Sequence, residues 1–143
     1  MRNAIVPGVA VLFAGIGSLA VAATFDGKQN LLCTTTEVYE CDAAQACRVL
    51  QHADAHDIRH MRVDFKKKSV NLDHIASAHT SRIERVEVVD GKLVLQGIED
   101  GNEDDVDGGG WTISIDDRYG NMVFTVAGEG VAFVGMGGCV SAK

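Results

Sequence analysis

Proline is nearly absent from this 143-residue chain: there is one, Pro7, close to the start. Nothing beyond it reads as a proline-rich linker, so composition does not divide the rest of the chain into domains. Aromatic residues are scarce at 6%, with a single tryptophan and two tyrosines. Basic residues are in the minority, 13 against 20 acidic ones, for a net charge of −7. Such a surface repels phosphates, which argues against nucleic acid and against docking on anionic lipid. Recognised catalytic signatures are also lacking. There is no G-x-S-x-G elbow, no H-E-x-x-H and no glycine-rich turn opening a helix. The chain is therefore expected to be non-catalytic.

Residues 1–23 have the layout of an export signal. Arg2 supplies a short positive region, Ile5–Val21 is almost wholly apolar or small, and Ala20-Val21-Ala22 and Val21-Ala22-Ala23 both suit signal peptidase. The remaining residues 24–143 form one domain of about the usual size. Without the signal the balance is 12 basic to 20 acidic residues, a net charge of −8. The expected compartment is periplasmic or extracellular, with no membrane association once the signal is removed.

Four cysteines follow the signal: Cys33, Cys41, Cys47 and Cys139. An even count behind an export signal reads as two disulfides, with three pairings open. The favoured pairing is a local Cys41–Cys47 clasp and a Cys33–Cys139 bridge between the two ends of the domain. No C-x2-C knuckle is present to suggest structural zinc.

The rest is strand pattern. Leu31–Thr34 and Glu37–Cys41 read as short strands, whereas Cys47–Ala55 is ambiguous between strand and helix. In His60–Phe65 the apolar Met61, Val63 and Phe65 alternate with polar residues, and Lys66-Lys67-Lys68 forms a solvated turn before Val70 and Leu72. Asp90-Gly91, between Arg82–Val89 and Lys92–Ile98, is the strongest hairpin signal in the chain. After the acidic stretch 99–110, Trp111, Ile113 and Ile115 alternate with polar residues, as do Met122, Phe124 and Val126 after a turn at 117–120. Gly128-Glu129-Gly130 then leads into Val131–Met136, and Gly135, Gly137 and Gly138 suggest a bend or bulge in the last strand. About eight strands in sequential hairpins predict an all-β fold, a small antiparallel up-and-down (meander) barrel, alternatively a β-sandwich.

The segments FDGKQNLLC, C-x5-C, MRVDFKKKSV, IERVEVVDGKLVLQG, GWTISIDDRYGNM and FVGMGGC together resemble an uncharacterised family of small secreted proteobacterial β proteins with two disulfides. The resemblance spans essentially all of residues 24–143 and implies export and the fold, but no activity. Members typically have a shorter connection before the Gly-Trp pair, so the acidic stretch is a feature of this chain.

Two clusters could hold a metal. His52, Asp54, His56 and His60 would share one helical or strand face in part, and imidazole suits zinc or copper. Asp100, Asn102, Asp104 and Asp107 offer the oxygen ligands that calcium prefers. Asp105 and Trp111 then stand where an EF-hand needs glycine and glutamate, which excludes that motif. The leading expectation is a binding module for a small molecule or an envelope protein, without a cofactor. The alternative is a metal-binding protein using zinc, copper or calcium.

Overall fold

The computed structural model describes residues 25–51, 58–72, 79–99 and 108–142. Nine strands cover most of them: β1 (Leu31–Asp42), β2 (Arg48–Val49), β3 (His60–Asp64), β4 (Ser69–Leu72), β5 (His79–Val89), β6 (Lys92–Glu99), β7 (Gly109–Asp116), β8 (Asn121–Gly128) and β9 (Val131–Ser141). Every pairing is antiparallel. The sheet runs from β1 through β3 to β9 in chain order and closes where β9 returns to β1. The result is a closed eight-stranded barrel, with the two-residue β2 laid along the far half of β1. The barrel, not the sandwich, is the architecture.

Closure depends on β1, whose two expected pieces are one strand of 12 residues. Its whole length pairs with β9, while its first residues pair with β3. A bulge between Thr35 and Glu37 separates the two pieces. The glycine-rich end of β9 lies opposite: a Cβ on Gly137 would come within 2.1 Å of the Thr34 carbonyl oxygen. The expected irregularity of the closing strand is therefore carried by its partner, with glycine admitting the close backbone approach.

Two disulfides, Cys33–Cys139 and Cys41–Cys47, are present and no described cysteine is free. Cys33 and Cys139 are direct cross-strand partners, so this bridge ties the first strand to the last at the seam. Such bonds form and persist in an oxidising environment.

The alternation read in the sequence points apolar residues inward. Leu31, Val63, Leu93, Leu95, Ile115 and Met122 are essentially without exposure. An eight-stranded barrel is just wide enough for its interior to be filled by such side chains. Burying each contributes about 1.5–3 kcal/mol. Two inner positions work differently. Trp111 lies opposite Gly97, where an added Cβ would stand 2.2 Å from the indole, and Phe124 lies opposite Gly135, where it would stand 1.9 Å from the ring. Each aromatic ring thus rests on a neighbouring strand that has no side chain at that point.

One end of the barrel is sealed. It carries the turns after β3, β5 and β7, and residues 25–30 cross it. These residues are anchored. Phe25 is buried against Gly120, and Gly27 lies beside Val86, Leu93 and Phe65. Asn30 accepts the Phe65 amide on its side chain (3.1 Å) and the Ala142 amide on its carbonyl (2.7 Å).

Aspartates hold two of these turns. Asp64 accepts the amides of Lys66 and Lys67, and Asp116 those of Arg118 and Tyr119, all at 3.0 Å. These amide hydrogen bonds hold both carboxyls below the usual aspartate range. The three lysines after Asp64 are accordingly an exposed turn.

Candidate functional site

Among the described residues, none covers the opposite end of the barrel. Its mouth is formed by the inner faces of β3 to β8 above the packed layers, and it holds an apolar cavity of about 50 Å3. Met61, Val70, Leu72, Trp111, Ile113 and Phe124 supply most of the wall, with Ile58 and Val126 nearer the rim. These are the inward-facing members of the alternating pattern. The cavity is therefore the unfilled end of the core.

Among the described residues, polar groups at the mouth are few. Ser81 points inward from β5, two residues before buried Ile83. Its hydroxyl accepts the Trp111 indole N–H at 2.6 Å and donates to the Ile98 carbonyl at 3.3 Å. That chain holds the indole against the wall. It also commits the serine proton to a backbone acceptor, an arrangement suited to positioning a ring and not to supplying a nucleophile. Glu99, at the end of β6, contributes the carboxylate of the lining. Thr35 is buried, and its hydroxyl donates to the Ile58 carbonyl at 2.8 Å while its amide donates to Arg59 at 2.8 Å. These bonds fix residues 58–59 at the rim.

The volume limits what can enter. A cavity on the order of 150 Å3 holds a benzene ring, and whole ligands occupy several hundred. About 50 Å3 accommodates one short branched alkyl group or the tip of an apolar side chain.

The sequence-predicted clusters are placed only in part. His60 begins β3, is exposed, and has its Nδ1 3.4 Å from the Thr34 hydroxyl. His52, Asp54 and His56 lie outside the described residues, as do Asp100, Asn102, Asp104 and Asp107. Among the described residues, no group of three His, Cys, Asp or Glu side chains is placed to hold a metal ion. In the sequence, 52–57 precede Ile58 and 100–107 separate Glu99 from Gly108; of these described flanking residues, Ile58 and Glu99 line the cavity. Ser81, Glu99 and Ile58 were not singled out in the sequence. Inward alternation in Ser81-x-Ile83 was the available signal for the first of them.

Comparison of the chain with protein-family models, with curated proteins and with solved structures gives no match.

Proposed function

We propose that this protein is an exported, non-catalytic binding module that receives one apolar group of its ligand in the open end of the barrel. The carrying observation is the cavity, lined by inward-facing aliphatic and aromatic side chains at one end of a barrel whose other end is plugged by Phe25. Its occupant is an alkyl group of a small molecule or a side chain of an envelope protein, since the space is too small to enclose a whole ligand. The export pattern of residues 1–23 and the two disulfides support a periplasmic or extracellular location. The wall has apolar residues inside and mostly polar ones outside, the reverse of what a lipid-embedded barrel needs.

Trp111 is the single tryptophan and lines the cavity, so its emission reports on the site directly. Titration with a series of short branched and linear alcohols should give a saturable shift that strengthens from methyl to isobutyl groups. Val126→Phe, which fills the rim, should abolish the shift while the barrel still folds. A Trp111 emission that no member of the series perturbs would refute the proposal.

A further inference from the structure

β5 is longer than the strand that covers it. β4 pairs with it only from His79 to Arg82, and the contact ends with the Ile83 amide donating to the Lys68 carbonyl at 2.9 Å. A bulge at Glu84 follows, between Ile83 and Arg85. From there to Val89 the strand has β6 on one side and, among the described residues, no backbone partner on the other. An open edge of this kind is a template for another strand.

The hairpin geometry shows which groups face outward. Asp90 and Gly91 have φ values of 50° and 74°, the two left-handed residues of a type I′ turn. The flanking pair Val89–Lys92 therefore exchanges hydrogen bonds, and alternation makes Glu87 and Arg85 the next residues bonded to β6. Val86 and Val88 aim their N–H and C=O groups at the open side. Their side chains share a face with Leu95 and Leu93, yet are 42% and 54% exposed. Arg85 and Glu87 stand on the other face, joined by an ion pair of 2.7 Å and both largely solvated.

We propose that this edge pairs antiparallel with the same edge of a second copy of the chain, in a two-fold dimer centred on Val86. The charge pattern selects both the occupant and the register. With the backbone N–H and C=O groups of Val86 and Val88 directed at the open side, three registers are open. Val86 opposite Val88 would set Glu87 against Glu87 of the copy, which repels. Val88 opposite Val88 runs into the turn and leaves Arg85 without a strand partner. Val86 opposite Val86 sets each Arg85 against Glu87 of the copy, twice, in the non-hydrogen-bonded positions where side chains stand closest. The same register overlaps the free residues 84–88 completely and covers the exposed valines of both copies. It also brings the copy's Asp90 turn toward the Lys66–Lys68 turn, where β4 begins. The segment is self-complementary in backbone, apolar face and charge.

An interface built on one short edge is small, so the dimer is a weak one whose population grows with concentration. Sedimentation velocity of the oxidised protein, over a concentration series at low salt, should show a monomer–dimer equilibrium that weakens as salt is raised. Arg85→Glu and Glu87→Arg should each lose affinity by about tenfold or more, because each sets like charges opposite one another twice. A mixture of the two variants should recover a heterodimer, and Arg85→Glu/Glu87→Arg should dimerise like the parent. Circular dichroism and melting midpoints establish that each variant is folded. A parent that stays monomeric throughout, single variants that dimerise as the parent does, or a mixture that stays monomeric would each overturn the proposal.

Discussion

Cutting the bridge at the barrel seam should cost more than twice what cutting the local clasp costs. Cys33–Cys139 joins residues 106 positions apart, and Cys41–Cys47 joins residues 6 apart. Loop-closure entropy of the denatured chain then gives about 5 kcal/mol for the first and about 2 kcal/mol for the second. Burial widens the gap, since Cys33 and Cys139 are both buried whereas Cys41 is half-buried and Cys47 exposed. Alanine is the appropriate replacement, because a serine hydroxyl at the seam would add its own desolvation cost. Urea unfolding followed by Trp111 emission and by circular dichroism measures both losses. With a slope of about 1.5 kcal/mol/M, the midpoint should fall by about 3 M for Cys33→Ala/Cys139→Ala and by about 1.5 M for Cys41→Ala/Cys47→Ala. The slope itself should rise more in the first variant, since its denatured state is freed to expand. Equal losses, or a larger loss at the clasp, would refute the loop-closure reasoning. A seam variant that is unfolded without urea supports it only if the clasp variant folds.

Three further outcomes follow from the wall and the turns. Gly135→Ala places a Cβ on the Phe124 ring and should destabilise by about 1–3 kcal/mol through overpacking, read as a lower urea midpoint. Ser81→Ala leaves the Trp111 indole N–H without its 2.6 Å acceptor; a loss of about 1–3 kcal/mol and a shifted emission maximum are expected. The folded-state values of Asp64 and Asp116 are depressed below the usual carboxylate range by amide hydrogen bonds, relative to about 3.9 in the unfolded chain. Their stabilisation is thus complete above that pH and is lost as pH falls through the folded values. Urea midpoints measured from neutral pH into strong acid should decline below about pH 4, and Asp64→Asn/Asp116→Asn should flatten that decline.

The barrel was legible because its signals are local and periodic. Met61-x-Val63, Trp111-x-Ile113-x-Ile115 and Met122-x-Phe124 each state which face is inward, and Asp90-Gly91 states a turn. The structure has all of these as read. Of the three pairings that the cysteine count leaves open, the structure has the favoured one, a local clasp and a bridge between the ends. What stayed hidden depends on distant contacts. The fusion of 31–34 and 37–41 into one bulged strand needs Gly137 opposite the bulge, a relation across about a hundred residues. Phe25 becomes a plug because Gly120 leaves room for its ring, which no pattern within 24–30 announces. β2 is two residues long and held at its end by the Leu50 amide on the Val38 carbonyl, too short for periodicity to register. The cavity was likewise invisible, since a period-2 pattern gives the facing of a side chain and not whether opposite walls meet.

Why the walls fail to meet at one end has a physical answer in the glycines. At the sealed end the inner positions carry Leu31, Val63, Leu93, Ile115 and Met122, aliphatic side chains that project from their own strands toward the axis. At the open end two of the bulkiest inner residues, Trp111 and Phe124, lie sideways over Gly97 and Gly135 on adjacent strands. A ring that covers its neighbour's backbone fills the wall and spares the axis. The Trp111–Ser81 hydrogen bond holds the indole in that sideways position. The opening is therefore a property of paired wall residues, set by strands that are rigid and hydrogen-bonded on both sides. On the proposed reading such a site would be preorganised: an entering alkyl group would displace no side chain, and little of its binding free energy would be lost to reordering the protein. By the same reasoning, selectivity would rest on size: one methylene more than the cavity holds would have to move a ring that lies over Gly97 or Gly135.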